Sequence, residues 1–276
     1  MSKTWLITGS AGGLGLALAE HVLAQGDRVV ATARAIERLS DLRGRYPGSL
    51  ALFELDVTDG DRCAAAVEVA VSTFGGIDVL VNNAGYAHVA PFEQTSVEDF
   101  KAEIDTNFFG VVNMTRAVLP SMRLQRSGHV INISSSAGRF GAAGVAAYCA
   151  AKFAVGGFTE ALARETAPFG VKAVSVEPGS MRTNWTRVAR SAVPELLPEY
   201  EATVGMVMKM TEDFAGHEPG DPRKVAGVIF ALSRCETVPE HLVLGSDALS
   251  TLAAEEASRA DAAMLWNATS RSTGFD

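Results

Sequence analysis

Tyr148 and Lys152 stand four apart in an alanine-rich stretch, Y-C-A-A-K, whose composition favours helix. Residues at i and i+4 lie one above the other on one helical face, which sets an ammonium beside a phenol. A phenol titrates near about 10, too high for proton transfer at neutral pH. A cation ~4 Å away contributes about 4 kcal/mol at intermediate dielectric, and one pKa unit is about 1.4 kcal/mol. Before desolvation is subtracted, that suffices to bring Tyr148 into the working range of a general acid/base. Ser135 lies thirteen residues earlier, across a Gly/Ala loop, placed to donate a hydrogen bond to the same substrate oxygen. The pair alone is a weak signal. With four tyrosines and six lysines in 276 residues, a chance Y-x-x-x-K is expected about one time in ten, and such helical neighbours are usually a solvated contact.

The surrounding elements strengthen it. The apolar run Trp5, Leu6, Ile7 is followed by T-G-S-A-G-G-L-G and then an apolar helical pattern from Leu14 to Ala24. Strand, glycine turn and helix form the context in which such a loop holds a nucleotide. Gly9 allows the sharp turn, Gly13 lets the backbone approach a pyrophosphate at the helix N-terminus, and Gly15 permits close helix packing. The spacing is G-x-x-x-G-x-G, and in isolation it is equally an ordinary glycine loop.

Gly26 ends that helix and Arg28 to Ala33 reads as a second strand. An acid at its end would hold the adenosine ribose hydroxyls, whereas an Arg accommodates a 2'-phosphate; here Arg34 follows Ala33, which favours NADP over NAD. The alternative for Arg34 is a surface arginine at a helix start. Further strands, Leu50 to Leu55 and Ile77 to Asn82, run out into Asp56-Val57 and Asn83-Ala84-Gly85, where ligands of doubly wound sheets bind. Asp56 alone could be a helix N-cap, and Asn83 could hold a turn. A long helical pattern, Ser96 to Gln125, contains Asn107, an unfavourable residue there that points to a local kink with a purpose. Strands Val130 to Ser134 and Val171 to Val176 flank the Ser135 to Lys152 stretch and its helix through Ala167.

This βα rhythm predicts an α/β fold, a single Rossmann-type domain over 1–276 with a doubly wound parallel sheet of about seven strands. Between Asn184 and Asp221 the rhythm stops, and Trp185, Leu196, Leu197, Met206, Met208, Met210 and Phe214 stand among charges and prolines. That interval reads either as a substrate lid with an adaptable methionine wall or as a helical pair whose apolar side is core. A helix from Pro222 to Leu232, a strand from His241 to Leu244 and a helical tail after 245 follow.

A net charge of -8 leaves no basic footprint for nucleic acid. No window reaches eighteen uninterrupted apolar residues, and Trp5 to Ala24 is broken by Gly and polar residues, unlike a signal peptide, so no membrane association is expected. Cys63, Cys149 and Cys235 lack metal or redox spacing, so no metal site is expected and a reducing cytoplasm is the simplest home.

The ordered set T-G-S-A-G-G-L-G, Asp56, N-N-A-G, Asn107, Ser135, Y-C-A-A-K and P-G-S-M-R-T resembles the short-chain dehydrogenase/reductase family, in its single-domain branch, over Thr4 to about Gly245. The resemblance implies Tyr148 as the acid/base, Lys152 as the residue that lowers its pKa and holds the nicotinamide ribose, Ser135 as the group that orients the substrate oxygen, and Asn107 as the anchor of a water relay. It implies cofactor contacts from Gly9, Ser10, Gly13, Leu14, Gly15, Arg34, Asp56, Val57, Asn83, Ala84, Gly85, Tyr148, Lys152, Pro178, Gly179, Met181 and Thr183. Gly12 stands where some NADP-using relatives carry a basic residue, so Arg34 alone supports the phosphate. The tail's G-S-D-A-L, Gly245 to Leu249, is loosely similar to relatives acting on retinol-like or steroid-like alcohols.

The expected activity is therefore hydride transfer between NADP(H), with NAD(H) as the alternative, and a small-molecule ketone or secondary alcohol of moderately apolar character. By the same resemblance a homodimer or homotetramer is expected, built through the helices near Ser96 to Gln125 and Tyr148 to Ala167. Two rivals are a catalytically silent NADP-binding sensor, which should show a broken Ser/Tyr/Lys set, and a nucleotide-sugar epimerase or dehydratase, whose larger carboxyl-terminal domain has no room here.

Overall fold

The computed structural model describes residues 2–189 and 195–275. Seven short strands form its centre: β1 (Thr4–Ile7), β2 (Arg28–Ala33), β3 (Leu50–Glu54), β4 (Val79–Asn82), β5 (Gly128–Ile133), β6 (Val171–Pro178) and β7 (His241–Leu244). All pair in parallel, in the order β3-β2-β1-β4-β5-β6-β7. The order reverses between β1 and β4, which makes this a doubly wound Rossmann-type sheet with its crevice at their carboxyl ends.

Side chains alternate across a strand, and both faces of this sheet are apolar, so the helices divide into two layers. Trp5, Ile7, Val29, Ala31, Val79, Val81, Ile131 and Val174 pack on one face with Leu18 and Val22 of α1 (Gly13–Ala24). On the opposite face Leu6, Val30, Leu80 and Val130 pack with Ala66 and Ala70 of a helix over Gly60–Phe74 and with Met114 and Val118 of a helix over Gly110–Gln125. Taken in chain order, the remaining helices begin with the short α2 (Ser40–Arg45), so these two are α3 and, after α4 (Val97–Ile104), α5. Then come α6 (Ala146–Thr166), α7 (Trp185–Ala189), α8 (Met206–Phe214), α9 (Pro222–Leu232), α10 (Ser246–Leu265) and α11 (Asn267–Arg271).

The long helical pattern around Asn107 is one rod with an interruption. α4 passes into α5 through a π turn, Asp105–Phe109, and Asn107 sits inside it, fully buried. A π turn widens the ladder by one residue and frees backbone groups, a device that recurs at functional sites. The strand boundaries expected at Leu55 and Ile77 retreat by one and two residues, because Leu55 and Ile77 are buried in the second layer without joining the ladder.

Over 184–221 the described residues form α7, a 3-10 turn at Pro198–Tyr200, a π turn at Glu201–Gly205 and α8; part of this expected lid, residues 190–194, lies outside the described residues. Its buried side is small: Ala189 and Val204 pack with Ala87 and Val89, and Leu196, Tyr200, Met208 and Tyr148 lean on them. Among the described residues no helix is long and apolar enough to cross a membrane.

Candidate active site

The crevice between β1 and β4 is built by glycines because backbone meets backbone there. Gly9 turns with φ +66, and a Cβ on it would stand 2.9 Å from Ala84 Cα. A Cβ on Gly15 would stand 2.4 Å from the Gly9 carbonyl oxygen and 2.5 Å from Asn83 Nδ2. Asn83 donates its side-chain amide to the carbonyls of Thr8 (2.9 Å) and Gly9 (3.2 Å), and its N–H to Thr8 Oγ1 (2.9 Å). Asn83 thus fastens the end of β4 to the glycine loop, the turn-holding role open to it from sequence.

Ser10 is buried, with Oγ donating to the Ile7 carbonyl at 2.8 Å, and the Leu14 side chain lies in the core. Any contact these two make with a nucleotide is therefore through the backbone. Gly13 (φ +53) opens α1, with the Thr183 methyl 3.7 Å from the position its Cβ would take. α1 has no side-chain cap and no acid in its first turn, so its positive end is left for an anion. Beside it is a cleft of about 570 Å³ lined by Gly13, Arg182, Thr183, Arg187 and Glu218. Bare helix end, glycine loop and cleft fit the phosphates of a dinucleotide.

Arg34 is exposed at the end of β2, and its charge reaches Asp56 and Tyr86. Asp56 is not the helix cap that its position allowed: Asp59 caps α3 by accepting from the Arg62 N–H. Asp56 Oδ1 instead accepts from the N–H (3.0 Å) and hydroxyl (2.8 Å) of Thr58. Partial burial opposes its charge, but those two bonds and Arg34 hold the carboxyl below its ordinary value. Val57 is buried against Gly110, whose added Cβ would come within 2.5 Å of it.

On the other side of the crevice, Ser135 ends the β5 loop and Tyr148 and Lys152 rise on α6. Close approach is again glycine's work, since a Cβ on Gly138 would stand 2.8 Å from the Lys152 carbonyl oxygen. Ser134 Oγ donates to that carbonyl at 3.2 Å, and Lys152 Nζ donates to the Ile133 carbonyl at 2.8 Å. The ammonium lies over the Tyr148 ring, 5.5 Å from its centroid. Asn107 Nδ2 donates to the carbonyls of Tyr86 (2.7 Å) and Glu103 (2.9 Å), and Oδ1 accepts from the Tyr86 N–H (3.2 Å). Gly85 separates Asn107 from Lys152: its added Cβ would be 2.4 Å from Asn107 Oδ1 and 3.6 Å from Lys152 Nζ. Ser135, Tyr148, Lys152 and Asn107 thus converge on one corner, with Gly85 between them.

Burial pushes Tyr148 up to about 12, opposed by a hydrogen bond from Ser135, while Cys149 and Glu103 push it further up. Burial likewise drives Lys152 down to about 8, opposed by Glu103. Helical spacing fixes which residues stack but not how deeply, and burial is the largest influence on both groups.

The turn after β6 is tied to the tail. Asp247, in the first turn of α10, accepts the Ser180 N–H at 2.8 Å, and its carboxylate fills the space where a Gly179 Cβ would stand, 2.5 Å away. Pro178 ends β6, Met181 packs against the first core layer, and Thr183 Oγ1 accepts from the Trp185 N–H at 3.2 Å. Trp185 meets the Tyr148 ring edge-on, centroids 5.6 Å apart. Two residues that sequence reasoning passed over therefore touch the site, Glu103, four before Asn107, and Asp247, inside G-S-D-A-L, and Trp185 of the 184–221 interval joins them.

The short chain dehydrogenase family model matches residues 3–194. The chain is 44% identical over 251 residues to oxidoreductase BOA17 of Botryotinia fuckeliana, covering 90% of this chain and 91% of that one. A crystal structure of a short-chain dehydrogenase from Streptomyces avermitilis is 40% identical, covers 100% of both chains and superposes with a TM-score of 0.92. The closed form of a serine dehydrogenase complexed with NADP+ is 31% identical over 87% of this chain and 94% of that one, with a TM-score of 0.76. With motifs, sheet order and relatives in agreement, the chain belongs to the short-chain dehydrogenase family of oxidoreductases.

Proposed function

We propose that the protein is an NADP(H)-dependent oxidoreductase interconverting a ketone and a secondary alcohol of moderately apolar character, with Tyr148 as the acid/base. The observation that carries this reading is the convergence of Ser135, Tyr148 and Lys152 beside a bare helix N-terminus and glycine loop. A bound dinucleotide supplies the hydride donor or acceptor and, when oxidised, a positive charge. The protein's part is geometry and proton transfer.

In the reductive direction the Tyr148 hydroxyl donates its proton to the carbonyl oxygen, and the Ser135 hydroxyl hydrogen-bonds the same oxygen as charge develops on it. In the oxidative direction the phenolate accepts the alcohol's proton. Lys152 keeps one donor on the Ile133 carbonyl, which leaves its other protons for the ribose of a bound dinucleotide. Asn107, pinned by Tyr86 and Glu103, holds the π turn open beside Lys152.

NADP is preferred because the exposed Arg34 stands where a 2'-phosphate is read and no acid occupies that position. The remaining cofactor contacts are those the family motifs name, from Gly9 through Thr183. The chain works as one domain, with 184–221 as a substrate lid. Trp185, Leu196 and Met208 of the lid, with Val89 and Val145 facing them, give an apolar wall near Tyr148. A cytoplasmic homodimer or homotetramer is the expected setting.

The test is NADPH consumption, with NADH in parallel, across ketones and aldehydes from small polar to large apolar. Turnover confined to NADPH and bulky ketones supports the whole reading. NADPH binding without turnover of any substrate favours a sensor.

A further inference from the structure

A second cluster of charges lies between α6, β6, β7 and the turn that follows Ser135, and the proton transfer described above does not use it. Glu177, near the end of β6, is 0% exposed. Its Oε1 accepts from the Ser175 hydroxyl at 3.2 Å and lies 2.5 Å from His241 Nδ1. Its Oε2 pairs with Arg139 at 3.5 Å. The other ring nitrogen, His241 Nε2, lies 2.8 Å from Glu160 Oε1 on α6. Parallel pairing sets His241 beside Ser175, so Ser175, Glu177 and His241 share one face of the sheet. There Gly156 of α6 leaves room for the ring, whose Cε1 is 3.5 Å from the position a Cβ would take.

That arrangement fixes a charge. An ionised carboxylate only accepts, and a neutral imidazole carries a single N–H. A histidine between two carboxylates satisfies both only with a proton on each nitrogen. A carboxylate as deep as Glu177 is expensive unless cations face it, and His241 and Arg139 both do. The surrounding charges are paired with one another: Glu160 and Glu240 meet Arg164 at 3.5 and 3.2 Å, and the second arm of Arg139 reaches Glu256 of α10 at 2.7 Å.

Arg139 connects this cluster to the site, because it closes the turn that begins at Ser135. The Gly138 N–H donates to the Ser135 carbonyl and the Arg139 N–H to the Ser136 carbonyl, both at 2.9 Å, while the Ala137 N–H donates to Ser135 Oγ at 3.1 Å.

We propose that His241 is a bridging imidazolium which, with Arg139, neutralises Glu177 and so fixes the turn after Ser135 against β6, making His241 and Arg139 positioning residues for the Ser135 hydroxyl. The inference rests on the reading of Ser135 as the group that orients the substrate oxygen, and it names what holds that group in place.

The direction of the histidine's titration agrees. Burial opposes its charge, but the hydrogen bonds to Glu177 and Glu160 outweigh that cost, so the ring holds its proton above the ordinary value. A raised folded value means that the contribution to stability is full at low pH and is lost as pH rises through that value.

The first measurement is ¹⁵N NMR of the histidine rings in the full chain. Five histidines are present, and the His241 signals are identified by their absence in His241→Gln. An ordinary imidazole titrates near about 6.5, so one unit higher only about a tenth of such rings stay charged. At that pH His241 should still carry protons on both nitrogens; one protonated and one bare nitrogen overturns the proposal. Should His241→Gln fail to fold, Glu160→Gln, at a side chain 39% exposed, identifies the ring by the signal it moves. It should lower the His241 midpoint by about half a unit or more, roughly threefold in the acid constant, and a set of histidines with no such change overturns the proposal.

The second measurement is a double-mutant cycle in NADPH-dependent ketone reduction. Arg139→Gln should lower kcat by about tenfold in the parent through misplacement of Ser135, with NADPH affinity unchanged within about twofold. Beside Ser135→Ala it should have no further effect. Equal losses in both backgrounds overturn the positioning role. Full activity of Ser135→Ala defeats the reading of Ser135 and the positioning role with it, whereas a Ser135-dependent enzyme with a neutral His241 defeats only the bridge.

Discussion

The two walls of the candidate active site are made differently. The crevice wall, where β1 and β4 end, is backbone against backbone: Gly9, Gly15 and Gly85 each sit where a methyl group would come within 3 Å of a neighbouring atom, and Asn83 and Thr8 lace the loops together. The outer wall, 184–221, is held by scattered polar contacts such as Gln94 Nε2 to the Glu195 carbonyl (2.7 Å) and Tyr200 Oη to Glu93 (2.8 Å). Met206, Met210 and Phe214 are exposed on it. A wall without spare volume specifies one geometry, which suits a fixed cofactor; a wall with few buried contacts among its described residues adapts, which suits selection among substrates.

That contrast is broken most sharply at Gly15. Gly15→Ala forces a methyl into the Gly9 carbonyl and the Asn83 amide, and it should reduce NADPH affinity by tenfold or more, measured by fluorescence titration, with a loss of about 1–3 kcal/mol in stability. Unchanged affinity would mean the crevice wall has slack. Arg34→Asp places a second acid near Asp56 and should reverse the NADPH to NADH preference in kcat/KM, while leaving the melting temperature within a degree or two. An unchanged ratio would assign the exposed arginine to the surface alone.

On the outer wall, Trp185→Ala removes the edge contact to Tyr148. It should change KM among bulky ketones several-fold, with NADPH affinity moving less than twofold. Loss of cofactor binding first would show that this wall is not a substrate lid.

The smallest expected effect is on stability at Glu103. Its folded pKa, about 7, lies above the ordinary carboxylate value, so the folded state binds the proton more tightly. Stability is therefore full at low pH and declines as pH rises through the folded value. Glu103→Gln should leave the melting temperature unchanged near pH 5 and raise it by a few degrees at pH 8.

The crevice wall was also the more legible from sequence. Short segments rich in apolar residues, such as Trp5-Leu6-Ile7 and Val79–Asn82, marked the strands, because both sheet faces are covered. Asn107 marked an interruption, expected as a kink and found as a π turn, since asparagine is a poor helix residue without a local task. The N-N-A-G and T-G-S-A-G-G-L-G runs named the loops that touch. What escaped detection depends on distance or depth. Glu103 in K-A-E-I looks like a solvent position of an amphipathic helix until its burial is seen. Asp247 reaches back 67 residues to the Ser180 N–H, and no local pattern announces that. The depth of Tyr148 escaped as well, because spacing gives neighbours but not desolvation.

The two walls meet at Tyr148, which stands on α6, receives Ser135, and carries Trp185 on its edge. The most direct measurement is therefore NADPH-dependent ketone reduction by Tyr148→Phe, with cofactor affinity followed in parallel. Loss of turnover by about a thousandfold, with NADPH affinity within a few fold of the parent, is the predicted result. Turnover retained within tenfold by the phenylalanine variant would contradict the assignment of Tyr148 as the proton donor.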